Sequence, residues 1–280
     1  MPYTTAMTAS EREMELEDRS RVLGPAIRRT VLEQSKRAHV GHIGSALSIA
    51  DMMGAVFSVI VGPDPSDSDR DRFVLSKGHA ALALYAALAE VGTIAKADLA
   101  TFCADDSLLG VHPEHSLPGV DFSTGSLGQG LSMAVGAALA AVMQGSNRRV
   151  IAIVSDAECN EGVIWEAALF AAHHRLQNLT VLVDNNHQQA FGYTADVLAC
   201  EDMAARWSAF GWEAITADGH DEAGMARILR SSTIGLPRVI VAETTFGKGV
   251  SYMEGEIKWH YLPMSDSEYE QAMSDIGPGV

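Results

Sequence analysis

The sequence predicts an α/β fold: a doubly wound, mainly parallel sheet with helices on both faces. Three observations carry this. Short apolar runs that read as strands recur at residues 150–154, 179–184, 213–216 and 238–243. Helical patterns separate them, at about 161–175, 201–209 and 221–231. Apolar strands alternating with helices need a sheet covered on both sides, joined by right-handed crossovers. Finally, no internal repeat, low-complexity segment or long linker interrupts the chain, so residues 1–280 read as a single domain.

The first half supplies the remaining elements. Residues 11–38 read as a charged helix in which Leu23, Ile27 and Val31 stack at four-residue intervals. A loop holding His39 and His42 follows. Ile49, Met52, Met53, Val56, Phe57 and Ile60 then recur at helical spacing, with Ser48 and Asp51 placed to form a capping box. Residues 63–71 are a polar loop of Pro, Asp and Ser, and 72–76 a short strand. That strand meets the loop Ser76-Lys-Gly-His79 and an Ala/Leu-rich helix running to about residue 90. After a loop with His112, residues 125–130 (Gly-Ser-Leu-Gly-Gln-Gly) open a helix of small residues that can pack close to a neighbouring backbone.

Composition narrows the function. The chain is 47% hydrophobic, enough for a sizeable core. Its net charge of −16, with no Lys/Arg run, opposes binding to nucleic acid or to an anionic membrane surface. Cys103, Cys159 and Cys200 show no paired spacing, which suits a reducing compartment. No signal peptide or bilayer-length apolar stretch is evident, so a cytoplasmic location is expected.

The chemistry-bearing residues lie where strands end, the edge at which open α/β sheets bind ligands. One strand ends in Ser155-Asp156-Ala157 and the next in Asp184-Asn185-Asn186. Parallel neighbours put both ends on one edge, so Asp156 and Asn186 can face one point despite lying 30 positions apart. A carboxylate and an amide oxygen suit a hard cation bound mainly by a diphosphate, with a backbone carbonyl such as that of Gln188 assisting. Asp and Asn are also ordinary turn residues, and the pair alone leaves that reading open.

This segment resembles the thiamine diphosphate signature, Gly-Asp-Gly followed after about 24–27 residues by Asn-Asn. Here 27 residues separate Ala157 from Asn185. Flanking segments are similar, in order and over nearly the whole chain, to the N-terminal domain of transketolases. They are Gly41-His42-Ile-Gly44, Ser76-Lys-Gly-His79-Ala, His112-Pro-Glu, residues 117–130, Asn160-Glu161-Gly162 and Trp259-His260. The resemblance implies Mg²⁺ (or Ca²⁺ or Mn²⁺) held by Asp156, Asn186 and the carbonyl of Gln188. It places thiamine diphosphate against His79, Gly125, Ser126, Leu127, Asp156, Ala157, Glu158, Asn186 and His260. It makes His42, His79, His112 and His260 the catalytic set, with His42 and His112 lining a sugar channel. Two departures stand out: Ser-Asp-Ala for Gly-Asp-Gly, which adds a methyl where glycine lets backbone approach the diphosphate, and Tyr261 where the family usually has glycine.

The resemblance also implies a missing half. In the family, the glutamate that protonates the cofactor's pyrimidine ring and the arginines that grip a substrate phosphate belong to a second domain. The chain is thus expected to need a second transketolase subunit carrying the pyrimidine domain, two copies of each chain assembling with cofactor at the interface. Glu161 matches an interface glutamate, although a carboxylate at a helix start is equally explained by the helix dipole. The activity implied is transfer of a two-carbon ketol unit from a ketose to an aldose, on sugars or sugar phosphates. Two readings compete with it: membership of a thiamine-dependent 2-oxoacid-decarboxylating or acyloin-forming enzyme, and a non-catalytic partner subunit.

Overall fold

The computed structural model describes residues 9–60, 66–200 and 202–278, with side chains from residue 23 onward. The elements are α1 (Ala9–Ala38), α2 (Ile43–Ser48), α3 (Ala50–Val59), β1 (Arg72–Leu75), α4 (Ala81–Glu90), α5 (Gln129–Met143), β2 (Val150–Ser155), α6 (Gly162–His173), β3 (Leu179–Asn185), β4 (Gln188–Gln189), β5 (Gly192–Tyr193), α7 (Thr194–Leu198), α8 (Met203–Ala209), β6 (Glu213–Asp218), α9 (Glu222–Arg230), β7 (Arg238–Glu243) and α10 (Asp266–Asp275). Part of the polar loop expected at 63–71 lies outside the described residues.

Five strands form one all-parallel sheet in the order β1-β2-β3-β7-β6, as the alternation of apolar strands and helices predicts. Side chains on a strand alternate between faces, and this sheet uses both. Ile151, Ile153, Leu182, Ile240 and Ala242 enter a core built with α1, α3, α4 and α9. Ala152, Val154, Val181, Val183, Val239 and Val241 enter the opposite core, built with α5, α6 and α8. Two covered faces explain why the central strands read as unbroken apolar runs. Edge strand β6 is only partly buried, and its pattern is correspondingly weaker.

One local expectation fails. Ser48 and Asp51 form no capping box: the residue preceding α3 is Ile49, which makes no side-chain cap. A capping box is favoured where the hydroxyl has no better partner. Here the Ser48 hydroxyl donates to Asp184 Oδ1 at 2.6 Å, and Asp51 is engaged by Arg28 and His220. Tertiary partners displace the local one. Among the described residues no helix is long and apolar enough to cross a membrane.

Candidate cofactor site

Register brings the strand tips level. Ser155 pairs with Asp184, and Asn185 with Glu243, so the chain leaves β2, β3 and β7 at one edge. Asp156 follows directly, buried to 1% exposure, its carboxylate accepting from the Ala157 N–H at 2.8 Å and the Thr194 hydroxyl at 2.9 Å. Burial, then the charge of Asp184, pushes its pKa up to about 6. No cation pairs with it directly among the described residues. A buried carboxylate left in that condition is suited to receive one.

Asn186 is oriented by its neighbours. Its Nδ2 donates to Asp184 Oδ2 at 2.9 Å and Ser48 Oγ at 3.2 Å, while its Oδ1 accepts from the Gln188 N–H at 2.9 Å. With the nitrogen anchored on acceptors, the oxygen keeps one lone pair for a metal. Gln188 is buried, and its Oε1 has no partner. No group of three or more His, Cys, Asp or Glu able to hold a metal occurs among the described residues. A cation at Asp156 and Asn186 would therefore take most of its ligands from a diphosphate, and this donor set fits that role.

Beneath both loops sits a hub that the motif reading missed. Asp184 is fully buried and is met by the Lys77 ammonium, the Ser48 and Thr244 hydroxyls and the Asn186 amide. Lys77, equally buried, also donates to the Ser45 carbonyl at 3.3 Å. The acid was visible at the strand tip, but partners as far as 136 residues away carry no local signal.

Glu158 also differs from its expected place. Its carboxylate is fully buried and accepts from Ser76 Oγ at 2.6 Å, Gly128 N–H at 2.7 Å and Ser155 N–H at 3.0 Å. Both of its oxygens are engaged, Oε1 by two donors and Oε2 by one. It bolts three site loops together beneath the cleft. The Ala157 methyl adds no backbone strain, because φ −60° and ψ −39° are open to any residue.

Above the strand tips, His42, His79, His112, Leu127, Ala157, Asn186, Gln188 and His260 line one cleft of about 140 Å³. His42, His79 and His260 form a triangle with ring centroids 5.1–5.6 Å apart. Ser45 Oγ lies 2.7 Å from His79 Nε2, and His42 Nδ1 is buried without a partner. Gly125 packs on His112: a Cβ there would come within 3.0 Å of the ring. Ser126 is exposed and stands outside the cleft lining, whereas Leu127, 37% exposed, forms part of its wall.

The three clustered imidazoles are held neutral. Burial is the main cause at each, reinforced by the Lys77 charge and by neighbouring histidines, with His79 pushed well below its usual value and His260 down to about 4. Neutral imidazoles both donate and accept protons, as a relay to hydroxyl groups requires. The same shift has a stability consequence. The unfolded chain binds a proton at residue 260 near pH 6.5, the folded chain only near 4. The contribution of this residue to stability is therefore complete above about pH 6.5 and is lost as pH falls toward 4. His260→Gln should flatten that acid limb, read as a smaller drop in the urea midpoint between pH 7 and pH 4.5.

Comparison with known proteins accounts for this arrangement. Residues 20–278 match the family described as the transketolase, thiamine diphosphate binding domain. One of the subunits of the apulose-4-phosphate transketolase of Phocaeicola vulgatus is 39% identical over 258 residues, covering 90% of this chain and 92% of that protein. The 6-deoxy-6-sulfo-D-fructose transketolase subunit SqwG of a Clostridium species is 37% identical, covering 95% of this chain and 98% of that one. Among solved structures, the Pichia stipitis transketolase in complex with sedoheptulose 7-phosphate superposes with a TM-score of 0.86 at 29% identity, covering 93% of this chain. The match takes in 41% of the solved chain, so this protein spans about two fifths of such a transketolase. It is collinear instead with the two transketolase subunits, nearly end to end, and it belongs to the transketolase family as a thiamine diphosphate-binding domain.

Proposed function

We propose that this chain is the diphosphate-binding subunit of a two-chain transketolase, transferring a two-carbon ketol unit from a ketose to an aldose. The observation that carries the reading is the triangle of neutral imidazoles in one cleft with Ser155, Ala157 and Asn186 of the strand tips. Asp156, Asn186 and the Gln188 carbonyl would hold Mg²⁺, and the loops of His79, Gly125 and Ala157 would receive thiamine diphosphate. When bound, that cofactor supplies the electron sink for breaking a carbon–carbon bond next to a carbonyl. The chain's own work is positional. His42, His79 and His260 orient sugar hydroxyls and pass protons between them, with His112 at the outer wall.

Three features support a partner. A cleft of about 140 Å³ falls short of the roughly 300–1,000 Å³ of a complete ligand pocket. Apolar side chains stand on or near its rim, Leu127 at 37%, Phe191 at 86% and Tyr261 at 53% exposure. Glu161 is exposed and makes no capping bond to α6, which leaves its carboxylate available to another chain. The relatives named for apulose 4-phosphate and 6-deoxy-6-sulfofructose suggest a substrate with a terminal anion. Lys77 is the one Lys or Arg lining the cleft among the described residues, and it is committed to Asp184. The second polypeptide must therefore grip that anion. The assembly we favour has two copies of each chain.

The test is an assay of the co-purified pair with Mg²⁺ and thiamine diphosphate. Two-carbon transfer from a ketose phosphate to an aldose is the expected result. Release of CO₂ from pyruvate without ketol transfer would replace this reading with a decarboxylating one. Failure of the pair to bind the cofactor would leave a non-catalytic role.

A further inference from the structure

Behind the cleft, on the face of the sheet covered by α1, α3 and α9, a partly buried ionic cluster centred on buried Asp51 grips one turn at both ends. Asp51 of α3 is its centre. Both of its oxygens accept from Arg28 Nη2 at 2.7 Å, and Oδ2 lies 2.7 Å from His220 Nδ1. His220 Nε2 accepts the Thr245 N–H at 2.9 Å, which fixes the proton on Nδ1, toward Asp51. On the other side, Arg28 Nε donates to the Lys248 carbonyl at 3.1 Å. Glu222 of α9 completes the cluster beside Asp51, its carboxyl pKa pushed up by burial and then by the Asp51 charge.

The clamped turn reaches the site in three places. Thr244 Oγ1 donates to Asp184, the hub under the strand tips. The Phe246 ring lines the cleft and lies parallel to the His260 ring, within 15° and 6.2 Å between centroids. Gly247 N–H donates to the Gly44 carbonyl at 3.0 Å, and a Cβ on Gly44 would strike the Phe246 ring at 2.2 Å. Neither Arg28, Asp51 nor His220 lines the cleft.

We propose that Arg28, Asp51 and His220 are positioning residues: by fixing the Thr245–Lys248 turn they set the place of Phe246, and through it the His260 ring. A half-buried turn needs partners for those N–H and C=O groups that water does not reach. Side-chain partners from two separate elements also fix its register, which apolar packing alone does not. The role assigned to His260 rests on the ketol-transfer reading; the clamp itself does not.

Amide exchange on the full chain tests the clamp directly, whatever reaction the pair catalyses. Losing the acceptor at Thr245, a hydrogen bond of about 1.4 kcal/mol or one decade, should speed exchange of peptide 244–250 roughly tenfold in His220→Ala. Peptide 257–262 should follow, while the strands of the sheet stay unchanged. His220→Gln, which can accept from Thr245 again, should restore most of the protection. In the assembled enzyme, kcat should fall by a larger factor than the affinity for thiamine diphosphate. Unaltered exchange in 244–250, uniform acceleration along the chain, no rescue by glutamine, or a wild-type kcat despite a loosened turn would each overturn the proposal. If His220→Ala does not fold, the glutamine variant is compared with Asp51→Asn, which should loosen the same peptide.

Discussion

Asp156→Asn should abolish Mg²⁺-dependent binding of thiamine diphosphate by the assembled pair while leaving the fold intact. The substitution keeps the volume, with the amide oxygen left to accept from the Ala157 N–H and the amide nitrogen able to donate to the Thr194 hydroxyl, so the packing around residue 156 survives. What goes is the single carboxylate of the proposed metal set, and with it most of the attraction for a divalent cation. Removing even an outer partner of a metal ligand costs roughly 10- to 100-fold in affinity, so loss of this direct ligand should cost roughly 100-fold or more. Titration calorimetry with Mg²⁺ present reads the effect. Stability moves the other way: the folded chain raises the Asp156 pKa to about 6, so the ionised carboxylate opposes folding increasingly as pH rises from 3.8 to 6. At pH 8 the asparagine variant without cofactor should be at least as stable as wild type. Wild-type cofactor affinity would place the cation elsewhere.

The second large effect is expected at Lys77. Replacing it with methionine leaves the fully buried Asp184 without its counter-ion, though still hydrogen-bonded to Ser48, Thr244 and Asn186. Breaking one side of a buried pair costs about 3–5 kcal/mol, because the remaining charge stays desolvated. Chemical denaturation of Lys77→Met should show a loss of that order. The double variant Lys77→Met with Asp184→Asn should recover much of it, since no lone charge remains. An equal loss in the double variant would mean that the hub acts through packing and not charge. Asn186 takes its orientation from Asp184, so the single variant should also weaken metal-dependent cofactor binding.

The contrast between these sites shows what could be read without coordinates. Asp156 and Asn186 announce themselves at the ends of apolar runs, and the parallel sheet implied by those runs brings them to one edge. The histidines sit in short loops with recognisable motifs, and four of them line one cleft. For Glu158, sequence proximity to Asp156 says nothing of direction: its carboxylate points inward and meets donors from Ser76, Gly128 and Ser155. Ser48 looked like a helix cap for the same reason. Its local option was legible, while its actual partner lies across the sheet on β3.

Apolar runs and turn chemistry are local properties, so the chain alone determined the five strands of the main sheet, the layer architecture and the edge where chemistry would gather. The strand order, the Lys77–Asp184 hub and the Arg28–Asp51–His220 clamp depend on which buried polar groups meet after collapse. Those meetings join residues from 23 to 220 positions apart, and only the folded structure decides them, because a desolvated charge must take whichever partner the packing delivers.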